Sequence, residues 1–107
     1  MSYFEMFKIN LINRFNKDTA QGRIFSLLFN VDEEIMILVK VDNGNLSVTE
    51  TESKECDLEF TAAKEIYNRI IDEDDILTGV DSYFSGDLEL DGDRGKLEDL
   101  FEVFGIV

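Results

Sequence analysis

The chain contains no histidine, no proline, no tryptophan and a single cysteine, Cys56. Without histidine it lacks the side chain most often used for proton transfer near neutral pH. The same absence excludes His-containing metal sites and Ser-His or Cys-His nucleophile pairs within this chain. One thiol cannot close an internal disulfide, so a reducing, cytoplasmic setting is expected. Cations are scarce as well: 10 Lys and Arg stand against 24 Asp and Glu, for a net charge of −14. Such a chain repels nucleic-acid phosphates and is disfavoured electrostatically at anionic bilayers. The excess acid reads as a solubility surface. No basic segment followed by a long apolar run opens the chain, so no signal peptide is expected. No apolar run approaches the ~20 residues of a membrane span, so neither is stable membrane insertion.

What the chain does hold is apolar and aromatic. Hydrophobic residues make up 44% of it, with nine Phe and three Tyr, enough for a core and for an internal pocket beside it. A length of 107 residues reads as one domain over residues 1–107. Residues 2–17 read as a helix, with Tyr3, Phe4, Phe7, Leu11 and Phe15 on one stripe and Ile12 at its edge. Ser2 and Glu5 have the spacing of a capping box. Met6 and Ile9 project to the opposite side, as incidental exposed residues or as a contact point for a partner.

Residues 23–30 and 34–41 read as strands that are apolar on both faces at their centres. Phe25, Leu27 and Phe29 share one face of the first, and Ile37 and Val39 share a face of the second with Ile35 and Val41. A sheet built from them is covered twice, or covered once and paired with another molecule, which makes a homodimer a possible partner. Asn43-Gly44 is a tight-hairpin signal, because both central positions of that turn take positive φ. Residues 46–52 then make a third antiparallel strand nearer an edge.

The second half is organised around Cys56 to Gly92. Cys56, Leu58 and Phe60 alternate with acids as a fourth strand. Thr61 is the expected cap of a helix whose buried stripe is Ala62, Ile66, Tyr67, Ile70 and Ile71. The acidic run Asp72 to Asp75 leads into a short turn closed by Gly79, then to Tyr83-Phe84 and Gly86. Gly79, Gly86 and Gly92 are read as the points where the chain turns sharply. Leu88 and Leu90 form a fifth strand. Asp93 is the expected cap of a last helix carrying Leu97, Leu100, Phe101 and Phe104.

In that order, the stretch Cys56-Asp57-Leu58-Glu59-Phe60, the helix ending near Ile76-Leu77-Thr78-Gly79, and Tyr83-Phe84-Ser85-Gly86 resemble the sterol carrier protein-2 (SCP2) domain family. Leu88-Glu89-Leu90 and Asp91-Gly92-Asp93 continue the likeness, and Val39 to Gly44 fits the family's second strand and turn. The resemblance covers about residues 24–104. It implies an α+β fold, a five-stranded mixed or antiparallel sheet with helices packed on it, enclosing an apolar tunnel for sterols, fatty acids, acyl-CoAs or phospholipids. It implies a non-catalytic lipid carrier without a cofactor. Two features depart from it. Animal members end in a peroxisomal Ser-Lys-Leu-type address, whereas this chain ends Phe104-Gly105-Ile106-Val107; and those members are commonly basic.

A tunnel suffices for carriage, because transfer of a fatty chain from water gains ~0.8 kcal/mol per methylene. About fourteen methylenes would supply on the order of 10 kcal/mol before ordering costs. The expected liners are Phe25, Leu27, Phe29, Ile37, Val39, Tyr83, Phe84, Leu97, Phe101 and Phe104, with Ile106 and Val107 gating the mouth. The alternative is that these residues fill a dry core, and the fold serves as a dimerisation module without lipid. No motif points to catalysis or to metal. The acidic clusters lack EF-hand spacing, Glu59, Asp57 and Glu89 fall on a polar strand face, and Cys56 has no base beside it.

Overall fold

The computed structural model describes residues 1–106; Val107, expected at the mouth of a tunnel, lies outside the described residues. Ser2 starts the first helix, α1 (Tyr3–Arg14), by accepting a hydrogen bond from the Glu5 N–H through its hydroxyl. The helix stops three residues short of the expected end, and Phe15 is already extended. Phe7 and Leu11 are buried, whereas Met6 and Ile9 are exposed.

Three strands follow as a meander: β1 (Ile24–Val31), β2 (Ile35–Asp42) and β3 (Asn45–Glu50). Asn43 and Gly44 both take positive φ, 50° and 87°, as the β2–β3 hairpin requires. β4 (Leu58–Ala62) pairs in parallel with β1, and β5 (Glu89–Gly92) pairs antiparallel with β4. The sheet order is β3-β2-β1-β4-β5, with β3 at an edge. Register places Leu27 between Val39 and Leu58, and Phe29 between Ile37 and Phe60. Period-two alternation then puts all six on the face against which the helices pack.

The opposite face has a cover of its own. The connection from β3 to β4 must pass both β2 and β1, and it is pinned on the way. Thr51 N–H donates to the Met36 carbonyl and Asp57 N–H to the Ser26 carbonyl, while the Asp57 carboxylate takes the Ser26 N–H at 2.8 Å. The Cys56 thiol engages the backbone of Leu28, and Leu28 is fully buried. Burial chiefly pushes that thiol's pKa up, which keeps it in its inert neutral form. Ile24, beyond this strap, is 72% exposed.

Three expected features take a different form. Thr61 lies in β4, so it does not cap the next helix, α2 (Lys64–Ile71). That role falls to Asp32 in the β1–β2 turn, whose carboxylate accepts from the Lys64 N–H at 3.1 Å. A side-chain cap distant in sequence should be worth about as much as a local one, so Asp32→Ala is expected to lower urea-unfolding stability by ~1 kcal/mol. The turn expected around Gly79 is a helix, α3 (Ile76–Ser85), capped by Asp75 and Thr78 and ended by Gly86 at φ 91°. Finally, Gly95 holds the N-cap position of α4 (Lys96–Phe104), and Asp93 serves the turn before it by accepting from the Gly95 N–H.

Among the described residues, no helix is long and apolar enough to cross a membrane.

Candidate functional site

Phe29 sits where the sheet is most aromatic. Its ring stacks on Phe60, the centroids 4.7 Å apart and the planes 6° off parallel. Phe7 from α1 and Tyr67 from α2 meet it edge-on at 5.2 and 5.7 Å. These geometries match ring quadrupoles. The Tyr67 hydroxyl donates to the Asn30 carbonyl at 2.9 Å, so the phenol's polar end is satisfied within the fold.

On the β4–β5 side the packing opens into a cavity of about 340 Å³. Its floor is Phe29, Phe60 and Leu90 of the sheet. Tyr67, Ile70 and Ile71 of α2 form one wall, and Leu97, Leu100 and Phe101 of α4 another. The roof is α3, through Ile76, Val80, Tyr83 and Phe84. Gly79 sets how low that roof lies. A Cβ there would come 2.9 Å from the Ile70 Cδ1, so any larger residue would have to push the end of the Ile70 side chain aside. Past α4 the chain turns back at Gly105; the Ile106 N–H reaches the Phe101 carbonyl, and the Ile106 side chain is buried in the cavity wall.

The lining is hydrocarbon with one charged exception, Arg94, which donates from Nη2 to the Leu90 carbonyl at 3.2 Å. Among the described residues, no three Cys, Asp or Glu side chains gather at metal-binding distance.

Of the residues expected as tunnel liners, Phe29, Tyr83, Phe84, Leu97, Phe101 and Ile106 stand on the cavity wall. Phe25, Leu27, Ile37, Val39 and Phe104 are buried elsewhere in the core. They lie toward β2 or under α1, where the helices seat directly on the sheet; Phe104 meets Phe15 at 5.7 Å. The expected set leaves out the α2 residues, Ile76, Gly79 and Val80 of α3, Phe60, Leu88, Leu90, Leu100 and Arg94. The stripe Tyr67, Ile70 and Ile71 was visible as a buried face, but nothing local says that a second helix crosses it at a distance.

The neutral state of Tyr67 is built into this floor. Burial, with smaller contributions from Tyr3 and Glu59, raises its pKa well above the ordinary tyrosine value of 10. The folded chain therefore holds the phenolic proton more tightly than the unfolded chain does. The resulting stability is fully present below pH 10 and falls as pH rises beyond it, by ~1.4 kcal/mol per pH unit. Tyr67→Phe should lose ~1 kcal/mol at pH 7 with the missing hydrogen bond. It should also flatten the alkaline decline, as read by urea unfolding at pH 7, 10 and 11.

No protein-family model matches the chain. No curated protein matches it either. Solved structures do. Palmitated SCP2L2 from Aedes aegypti superposes with a TM-score of 0.70 over 97% of this chain and 95% of its own, at 19% identity. The chain has the SCP2 fold. The sterol carrier protein domain 2 of Helicoverpa armigera gives 0.69 at 21% identity, covering 96% of this chain and 88% of that one. The same SCP2 fold recurs inside a stereoselective inverting sec-alkylsulfatase from Pseudomonas sp. The TM-score there is 0.78 and the identity 22%, over 97% of this chain. This chain spans only 16% of that enzyme's length. The α+β architecture that the resemblance implies is thus the one observed, with four helices and a mixed five-stranded sheet among the described residues.

Proposed function

We propose that this chain is a non-catalytic lipid-binding domain, holding one alkyl chain in the space between β4, β5, α2, α3 and α4 as a carrier. The observation that carries the reading is the cavity itself. At about 340 Å³ it is walled by aliphatic and aromatic side chains and lies at the small end of the ~300–1,000 Å³ typical of ligand pockets. That size suits a single chain better than a bulkier guest. The SCP2-fold protein from Aedes aegypti is described as palmitated, which fits such a guest. The Pseudomonas enzyme that contains the fold is a sec-alkylsulfatase, which is consistent with an alkyl-binding role for the fold.

Entry through the roof is the route we favour. Leu77 and Phe84 of α3 are 70% and 81% exposed, and Phe84 also lines the cavity. No carboxylate, thiol or histidine lines the cavity to serve as general base or nucleophile on a guest, which is why we assign holding and not turnover. A reducing compartment such as the cytoplasm suits its free thiol.

Native mass spectrometry of gently purified protein is expected to show adducts of acyl-chain mass, and a fluorescent fatty acid should bind at one site and be displaced by unlabelled chains. A clean apo spectrum combined with no fluorescent binding would refute the reading.

A further inference from the structure

α3 carries an apolar stripe open to solvent. Leu77, Val80 and Phe84 recur at i, i+3 and i+7, so they share one side of the helix, and all three are exposed. Val80 and Phe84 also line the cavity whereas Leu77 does not, so the stripe runs from the cavity roof onto the outer surface. Tyr83, exposed as well, sets its ring edge-on to Phe84 at 5.6 Å. The stripe is not purely apolar. Asp81, four residues after Leu77, falls on the same side; it is exposed and takes part in no ion pair among the described residues. The surroundings repeat its sign. Between Arg69 and Arg94 the chain has nine Asp and Glu and no Lys or Arg. Of those acids only Asp74 is in an ion pair among the described residues, with Arg14 of α1.

Charge decides what such a stripe accepts. A bilayer interior would strip water from the Asp81 carboxylate and offer it no partner, and an anionic lipid surface would be repelled. A second copy would meet the stripe with the same stripe. A twofold axis through its middle brings the two Asp81 carboxylates together, and like charges facing each other across an interface are costly. A surface with apolar anchors and flanking cations matches every part. The anchors cover Leu77, Val80 and Phe84, one Lys or Arg pairs with Asp81, and another lies over the Tyr83 or Phe84 ring. A helix supplies anchors at this spacing. We propose that the outer face of α3 is a docking site for a cationic amphipathic helix of a partner protein. The inference concerns a macromolecule on the outside of the fold and stands whether or not the cavity holds a guest.

The experiment titrates the protein by calorimetry with three synthetic peptides, each about five helical turns long. One is an amphipathic helix with a leucine stripe flanked by Lys and Arg. The second has the same composition scrambled to destroy the stripe, and the third keeps the stripe but carries Glu in place of Lys and Arg. The patterned cationic peptide should bind about tenfold or more tighter than the scrambled one, and the acidic one should not bind. Leu77→Gln should weaken the patterned peptide about tenfold and leave the scrambled one unchanged. Asp81→Lys should weaken it by a similar factor and flatten its salt dependence. Both positions are exposed, so both variants keep the fold. Equal binding of patterned and scrambled peptides, or an undiminished affinity in Leu77→Gln, would overturn the inference and leave only a general attraction to an acidic protein. Leu77-dependent binding to phosphatidylcholine vesicles tighter than to the peptide would assign the face to a membrane. A Leu77-dependent dimer in sedimentation would assign it to a second copy; either outcome would overturn the inference as well.

Discussion

Leu97→Trp is expected to shorten the longest chain the protein can hold while leaving it folded. Leu97 lies in the first turn of α4, half-buried, with its side chain on the cavity wall. An indole in place of an isobutyl group extends into the empty space and not into a neighbour, so overpacking strain is small. The guest loses what the indole takes. If it displaces roughly three methylenes at ~0.8 kcal/mol each, the loss is ~2–3 kcal/mol, or about 50-fold in affinity. The sharper readout is chain length. In the wild-type protein, affinity should climb with each added methylene until the cavity is full, then level off; in Leu97→Trp the plateau should arrive about three carbons earlier. The thermal midpoint should stay level or rise, because filling a void adds contacts. An unchanged plateau would show that the guest does not occupy this space. A lowered midpoint with lost affinity would mean that the indole had disrupted α4 instead.

Much of the fold was legible because its signals are local. The α4 face of Leu97, Leu100, Phe101 and Phe104 follows from spacing alone, and Asn43-Gly44 names its own turn. What was not legible depends on partners far apart in sequence. Gly79 reads as punctuation, but in the fold it is a mid-helix residue that faces the Ile70 side chain of the neighbouring helix and makes no turn. Thr61 has the chemistry of a cap and the right position, but β4 runs one residue past it to pair with β1 through Asn30↔Thr61 and Val31↔Ala62. The cap then comes from Asp32, about thirty residues earlier. The cavity shows the same limit. Apolar residues such as Leu27 and Val39 look identical in sequence to Phe29. Only the placement of α3 over β4 and β5, and of α1 over the rest, decides which of them meets a partner and which meets empty space.

Phe29→Ala should be the most damaging single truncation. Phe29 is 3% exposed and its ring meets three other elements: β4 through Phe60, α1 through Phe7 and α2 through Tyr67. Removing a buried phenyl ring costs ~3–5 kcal/mol, since the transfer energy of the ring is lost and a void remains. Against a total of ~5–15 kcal/mol for a domain of this kind, that is a third or more of the stability. The void is also special in position. It lies in the cavity floor and opens into the existing space, so the surrounding chains cannot collapse to fill it without lowering α2 onto the sheet, which Tyr67 and its bond to Asn30 oppose. The urea midpoint should fall accordingly with the m-value unchanged. Phe84→Ala, on the exposed edge of α3, should stay within about 0.5 kcal/mol of wild type. A saturating alkyl ligand binds only the folded chain, so at one hundred times its Kd it should return ~2.7 kcal/mol to either variant that still binds. Recovery in Phe84→Ala with none in Phe29→Ala would show that the aromatic floor is needed for the guest as well as for the fold. A loss below ~1 kcal/mol in Phe29→Ala would mean that the rings around it can close the gap, contrary to the packing described.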